Sequence, residues 1–360
     1  MKDYIEGISE LLGRSEKSVL SSAACEMYRG KTILITGGGG TIGSELARTL
    51  ATLEPKRVVI FDIYENNAYD LSMELLHKYG SALDLVVEIG SVRDASRLEE
   101  IFSYYKPEIV FHAAAHKHVP LMEHSSAEAI KNNVFGTYNT ANMADKYGAE
   151  KFILVSTDKA VNPTSIMGAT KRICEHIVSC RNDGKTAFCS VRFGNVLGSS
   201  GSVVPLFIRQ IKEGGPLTLT DRRIVRYFMS VREAAELLLE AGCIAERGEI
   251  FVLDMGSPVK ISDLAEAMIA KYAPDGKGIE ICEIGLRPGE KLYEELLVDP
   301  EKHYKTSSSK IFIEKEKAKT REEMETIIGI FADFLSKKPP NLEKDVLKTI
   351  IKSIIPEYIL

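Results

Sequence analysis

The 360-residue sequence has no C-x-x-C pair among its six cysteines, Cys25, Cys174, Cys180, Cys189, Cys243 and Cys282. That scatter suggests neither a structural zinc site nor a disulfide framework, and it fits a reducing cytosol. No uninterrupted apolar run reaches the roughly 18 residues needed to span a bilayer. The start, MKDYIEGISE, lacks the basic-then-apolar layout of a secretory signal. A soluble, cytoplasmic chain is the expectation. Positive charge is not in excess either: 46 Lys and Arg face 51 Asp and Glu, a formal net charge of -5, and no basic stripe is present. A general nucleic-acid binder is therefore not expected.

What is present is an ordinary globular composition, 44% hydrophobic and 27% charged, in a chain long enough for a full core. From Lys31 short β-branched runs alternate with helix-length amphipathic stretches: KTILITG, SELARTLATL, RVVIFD, NAYDLSMELLHKYG, DLVVEIG, ASRLEEIFSYY, EIVFHAAA. Alternation of this kind implies βαβ units and a parallel sheet covered by helices on both faces, an α/β, Rossmann-type doubly wound fold. After about residue 200 the rhythm loosens into Gly- and Pro-containing loops, as expected of a smaller C-terminal substrate-binding lobe. The expected division is a helical arm over 1–30, a dinucleotide-binding domain over 31–200, a lobe over 201–315 with some segments returning to the first domain, and a helical extension over 316–360. The isoleucine-spaced VLKTIIKSIIPEYIL in that extension reads as a docked helix.

ILITGGGGTIGSEL satisfies both G-x-G-x-x-G (Gly38, Gly40, Gly43) and T-G-x-x-G-x-x-G (Thr36, Gly37, Gly40, Gly43) between a predicted strand and a predicted helix, with Thr41 and Ile42 also expected to bind the cofactor. Glycines suit a turn with unusual dihedrals that lets a pyrophosphate approach the helix N-terminus. RVVIFD ends in Asp62, where a carboxylate accepts hydrogen bonds from the adenosine ribose. With no arginine beside it, that carboxylate repels a 2′-phosphate, so NAD is expected rather than NADP. Ser91 and Val92, after the third strand, are placed beside the adenine. Ala113, Ala114 and Ala115, after the fourth, are small enough to let the cofactor lie close to the sheet edge.

His112, His116 and His118 invite a metal reading, but His112 belongs to the strand-like EIVFH, where i,i+4 chelation fails, so no metal is expected. The stretch STDKAVNPTSIMGATK poses a second question. Met167 and Lys171 have the spacing at which many nicotinamide enzymes carry a tyrosine and a lysine, and a methionine passes no proton. Either the chemistry is lost, or it has moved to Asp158 and Lys159, just past the strand KFILVS.

Together with HAAAHKHVPLME, NNVFGTYN, STDKAVNPTSIMGATKR, VRFGNVLGSSGSVVPLF, RYFM and GLRPGEKLYEEL, the glycine motif resembles the extended short-chain dehydrogenase/reductase superfamily. Within it the match is to nucleotide-sugar 4,6-dehydratases acting on UDP-N-acetylglucosamine in polysaccharide and protein-glycan pathways. The resemblance covers about residues 30 to 300. Many such proteins append this domain to membrane-spanning helices, and this chain looks like a soluble version, expected to form a homo-oligomer.

The resemblance implies a role for each motif residue. Lys159 would take the C5 proton and Asp158 would protonate the leaving C6 hydroxyl, having received its proton from the C4 hydroxyl directly or through Thr157. Lys171 would hold the nicotinamide ribose. Met167 would contact the sugar or nicotinamide, or simply pack. Lys117 and His118 would approach the sugar or nicotinamide. Arg226 and Arg287 would hold the diphosphate, Asn195 the phosphate or sugar, and Glu290 the uridine ribose, while Val203 walls the uracil. Adjacent opposite charges hold Asp158 ionised and Lys159 protonated, the wrong states for an acid and a base. Burial, Lys171, Lys117 and the oxidised nicotinamide are expected to lower the Lys159 pKa. An epimerase or simple dehydrogenase on the same scaffold, and a non-catalytic cofactor-binding protein, are the alternatives. The C5 outcome is open, with retention favoured.

Overall fold

Nine strands of the computed structural model line up in one sheet, and their order records how the chain was wound. The structure describes residues 18–181, 183–273, 278–296, 303–314, 318–337 and 344–359. Strands β1 (Thr32–Thr36), β2 (Arg57–Asp62), β3 (Leu85–Ile89), β4 (Ile109–His112), β5 (Lys151–Val155), β6 (Ala187–Arg192), β7 (Glu249–Leu253), β8 (His303–Lys305) and β9 (Ile311–Glu314) stand in the order β8-β9-β7-β6-β5-β4-β1-β2-β3. From β7 to β3 every neighbouring pair is parallel. β9 pairs antiparallel with β7, and the edge strand β8 pairs antiparallel with β9.

The chain order reverses between β1 and β4, so a crevice opens outside their carboxyl ends, where ligands of doubly wound sheets bind. β1 (TILIT) is buried at every position, as expected of a parallel strand covered on both faces. Helix α2 (Thr41–Leu50) buries Gly43, Leu46, Ala47 and Leu50, the i, i+3, i+4, i+7 stripe that turns one face to the sheet. Each fully buried leucine there contributes roughly 1.5–3 kcal/mol.

Two core clusters cover the two faces of this sheet. A third is built from Leu197, Phe207, Leu217, Phe228, Leu264 and Met268, among others, under helices α8 (Val203–Lys212) and α10 (Ile261–Tyr272). Between these two helices, α9 (Val231–Ile244) returns to the main sheet, where Leu238 and Ala241 join the same core as Ile33 and Leu46.

Of the N-terminal arm only residues 18–30 are described. They pack: the Tyr28 hydroxyl donates to the Leu239 carbonyl at 2.7 Å, and the Val19 N–H donates to Glu236 Oε2 at 2.7 Å. The C-terminal helix α12 (Lys344–Ile354) docks on its own chain, burying Leu347, Ile351 and Ile354 in the core shared with α7 (Ile166–Ser179). Just beyond it the Ile359 N–H donates to the Pro163 carbonyl at 2.9 Å.

Candidate active site

The glycine turn between β1 and α2 is closed by backbone contacts that tolerate no side chain. Gly37 has φ of +68°, and a Cβ there would lie 2.6 Å from the Ala114 nitrogen; at Gly43 it would lie 2.3 Å from the Gly37 carbonyl oxygen. Gly40 caps α2 with no side-chain hydrogen bond, so the first-turn amides at Thr41 and Ile42 keep their donors for a ligand. Asp62 is aimed at this turn: Oδ2 accepts from the Gly39 N–H at 2.8 Å and Oδ1 from the Tyr64 N–H at 2.9 Å. A carboxylate oriented by two amides retains lone pairs for sugar hydroxyls. The uncapped helix, the glycine cradle and the oriented carboxylate fit an anion flanked by a ribose, as a dinucleotide presents.

The other expected cofactor residues fall at the same crevice, with differences. Thr36 is fully buried, and its hydroxyl is engaged with His112 Nδ1 at 2.7 Å, so it ties β1 to β4 rather than facing a ligand. His112 Nε2 in turn meets Thr137 Oγ1 at 3.0 Å, and burial, with Lys171 adding to it, lowers the imidazole pKa to about 3. Ser91 Oγ accepts from the Arg93 N–H at 3.2 Å, while Val92 is buried in the core. Ala113, Ala114 and Ala115 are half-buried, with the Ala113 N–H on the Thr36 carbonyl at 3.0 Å. The loop that follows is clamped by Asn133, which accepts from the His116 N–H at 2.8 Å and donates to its carbonyl at 3.0 Å. Among the described residues no group of three or more His, Cys, Asp or Glu could hold a metal ion.

Beyond β5 the chain turns through Thr157, Asp158 and Lys159. The turn is anchored by the Ser156 N–H on the Val191 carbonyl at 2.8 Å and the Asp158 N–H on the Phe193 carbonyl at 3.1 Å. Thr157 Oγ1 donates to Asp158 Oδ1 at 2.8 Å, and Lys159 Nζ donates to the same oxygen at 3.0 Å. A second carboxylate, Glu294 Oε1, lies 3.2 Å from Lys159 Nζ. Asp158 Oδ2 and Glu294 Oε2 are both buried with no hydrogen-bond partner.

Burial pulls the Lys159 pKa down, but Asp158 and Glu294 outweigh it and leave it raised. The expected lowering is therefore corrected for this state: two carboxylates act on Lys159, not Lys171 and Lys117. Burial lowers the pKa of Lys171, and of Lys117 as well; Lys171 Nζ donates to the Val155 carbonyl at 2.7 Å. Met167, one turn before it on α7, is buried within the main core.

On the lobe side, Glu290 accepts from Thr220 Oγ1 at 3.0 Å and from the Arg287 N–H at 3.2 Å; the Arg287 side chain is exposed. Arg226 differs from its expected role. Its guanidinium is buried and donates to the carbonyls of Val225 (2.9 Å), Leu292 (3.1 Å) and Lys291 (2.7 Å), so here it holds the 290–294 segment instead of standing open to a diphosphate. Asn195 is half-buried, its N–H on the Tyr227 carbonyl at 3.0 Å, and Val203 packs on the lobe core. Lys117 and His118 are exposed, and a Cβ at Gly201 would lie 2.4 Å from the His118 ring. The loop carrying Gly201 reaches the start of α2 beside the glycine turn, where the Ser200 N–H donates to Thr41 Oγ1 at 3.2 Å.

Three residues of the site are not legible as such in the sequence. Glu294 and Asn133 act through space from stretches that read only as motifs. Gly168 looks unremarked inside MGATK, although a Cβ there would lie 2.2 Å from the Lys159 carbonyl oxygen.

Comparison with known proteins agrees with this architecture. The family described as polysaccharide biosynthesis protein matches residues 33–316. The capsular polysaccharide biosynthesis protein CapD of Staphylococcus aureus is 45% identical over 92% of this chain and 56% of its own length. The chain spans about half the length of the first curated relatives it matches. A UDP-N-acetylglucosamine 4,6-dehydratase (inverting) of Campylobacter jejuni is 35% identical, covering 77% of this chain and 80% of that protein. A UDP-glucose 4-epimerase of Rickettsia rickettsii is 38% identical, covering 76% and 80%. Among solved structures, Pen from Bacillus thuringiensis aligns with a TM-score of 0.75 at 36% identity, covering 82% of this chain and 92% of that one. DesIV, a dTDP-glucose 4,6-dehydratase of Streptomyces venezuelae, shares the fold at a TM-score of 0.64 and 22% identity, covering 74% and 88%. No helix among the described residues is long and apolar enough to cross a membrane.

Proposed function

The chain belongs to the polysaccharide biosynthesis protein family, and from that premise we propose that it is a nucleotide-sugar 4,6-dehydratase acting on UDP-N-acetylglucosamine with NAD. The observation that carries the reading is the cluster at the carboxyl edge of β5: Thr157 Oγ1 and Lys159 Nζ both on Asp158 Oδ1, at 2.8 and 3.0 Å. Removing the C6 hydroxyl as water requires breaking the C5–H bond, which becomes acidic only beside a C4 ketone. The glycine turn and the α2 amides would hold the dinucleotide pyrophosphate, Asp62 the adenosine ribose and Lys171 the nicotinamide ribose. When bound, NAD supplies a site that takes hydride from C4 and returns it to C6.

The chain's own residues then handle protons. Thr157 Oγ1 relays the C4 hydroxyl proton to Asp158 Oδ1. Lys159 Nζ takes the C5 proton while Asp158 gives its proton to the departing C6 oxygen. Because one amine removes and returns the C5 proton, the configuration at C5 is retained. Met167 marks relocation of the acid–base work, since Asp158 and Lys159 supply what the absent tyrosine would have done. On the substrate side, Arg287 suits a diphosphate and Glu290 a ribose.

Proton NMR of the protein with UDP-N-acetylglucosamine in D₂O tests this. A new C6 methyl signal with deuterium at C5 supports dehydration, and the ring couplings report the C5 configuration. The epimerase named among the relatives motivates the second reading: a C4 epimer with no methyl signal would establish it instead.

A further inference from the structure

Resting on the dehydratase reading, a count of protons leaves one unplaced. The resting site pairs Lys159 Nζ with Asp158 Oδ1 at 3.0 Å, and the carboxylates around it hold the Lys159 proton in place. When the C4 hydroxyl proton arrives on Asp158, that carboxyl becomes the acid the elimination needs, but Lys159 still carries the proton that bars it from acting as a base. Asp158 has no further capacity. Among the described residues, the other acceptor in contact with Nζ is Glu294 Oε1, at 3.2 Å.

We propose that Glu294 is the proton reservoir of Lys159, taking its ammonium proton in each turnover and returning it at the end. The balance closes. Asp158 gains the C4 hydroxyl proton and gives it to the C6 oxygen, which leaves as water. Glu294 gains the ammonium proton, freeing the Nζ lone pair; Nζ takes the C5 proton and gives it back to C5. Glu294 then returns its proton to Nζ, restoring the starting states.

The surroundings suit the task. The Glu294 side chain is 2% exposed, and its Oε2 is buried with no partner, so it can take up a proton without breaking a hydrogen bond. The charged groups facing it are Lys159 and Arg226, whose Nε lies 3.7 Å from Oε1; beyond that guanidinium, Glu290 lies 3.7 Å from Arg226. Arg226, held by the carbonyls of Lys291 and Leu292, fixes the segment that presents Glu294. Glu294 acts through Lys159 and is a positioning residue, not one that touches the sugar.

The test compares wild type, Glu294→Gln and Glu294→Asp, each loaded with NAD and given UDP-N-acetylglucosamine in D₂O. Reduced-nicotinamide absorbance, C5 deuteration and C6 methyl product are followed together. Gln keeps the shape and can accept from Nζ but stores no proton. The expected result for Glu294→Gln is accumulation of reduced nicotinamide with loss of C5 exchange and about a 100-fold drop in methyl product, the scale of one lost acid–base group. Glu294→Asp should recover part of the exchange. Product and exchange in Glu294→Gln within about threefold of wild type overturn the reservoir and send the proton to solvent. Loss of nicotinamide reduction in both variants also overturns it, leaving a merely structural role. A wild type that forms no methyl product sinks the dehydratase reading itself, and that outcome is seen without either variant.

Discussion

Gly168 and Lys159 meet backbone to backbone: a Cβ built on Gly168 falls 2.2 Å from the Lys159 carbonyl oxygen. The N-terminal turn of α7 thus presses directly on the loop carrying the candidate acid and base, and Ser165, whose Oγ accepts from the Gly168 N–H at 3.1 Å, fixes the angle of approach. Backbone cannot swing aside as a flexible side chain can. Gly168→Ala should therefore displace the Asp158-Lys159 loop, costing about 1–3 kcal/mol of stability and up to about 100-fold in turnover. Thermal melting and methyl-product formation, measured on the same preparation, check both effects.

On the proposed mechanism, Asp158→Asn removes both the acceptor for the C4 proton and the donor for the C6 oxygen while leaving the Thr157 and Lys159 contacts a neutral oxygen to meet. Turnover should fall by at least about 100-fold. NAD affinity, measured by calorimetric titration, should hold, because Asp158 lies off the glycine cradle. Undiminished product from this variant would remove Asp158 from the scheme.

Met167 tests the relocation of proton chemistry from the other side. It is buried in the core with Ile130, Val134 and Ile173. Met167→Leu preserves volume and should cost less than about 1.5 kcal/mol with turnover nearly unchanged. Met167→Ala opens a cavity and should cost about 2–5 kcal/mol. A large loss of product in the leucine variant, with stability intact, would show that the thioether does chemistry.

Much of this can be read along the chain because it is local. The strand-to-helix rhythm, the glycine turn and Asp62 depend on residues near one another in sequence, and so does the Asp158-Lys159 pair beyond β5. What escapes such a reading depends on contacts through space. Glu294 reaches Lys159 from the far lobe, and nothing in LYEEL says which of its carboxylates is buried. The Lys159 pKa moves against expectation for that reason: the sequence offers cations as its neighbours, and the fold supplies a second anion. Thr36 and Arg226 show the same limit, since their motif positions say nothing of the His112 ring or of the Lys291 and Leu292 carbonyls that engage them.

Asp62 offers a test of the cofactor site that does not depend on turnover. On the proposed NAD reading, its carboxylate, oriented by Gly39 and Tyr64, would meet a 2′-phosphate with like charge, a penalty of several kcal/mol. Asp62→Ser removes the repulsion together with the ribose acceptor. Calorimetric titration should show NAD weakened and NADP strengthened, narrowing the NAD preference by about 100-fold or more. An unchanged ratio would place the ribose elsewhere.

His112 makes the fold sensitive to acid. Its pKa is lowered from 6.5 to about 3 because the ring is buried between Thr36 and Thr137, with Lys171 nearby. A depressed histidine contributes fully above the unfolded value, where neither state binds a proton. Below pH 6.5 the unfolded chain gains a proton that the folded one refuses, so stability falls by about 1.4 kcal/mol per pH unit until the folded ring titrates near 3. His176, lowered to about 3 chiefly by burial, adds a slope of the same sign. Urea unfolding at pH 7 and pH 5 should therefore differ by about 2 kcal/mol less in His112→Gln than in wild type, since glutamine keeps hydrogen bonds to the threonines but does not titrate. An equal difference in the two proteins would mean that the ring takes up its proton in the fold as readily as in the unfolded chain, and burial between the threonines would not hold it neutral.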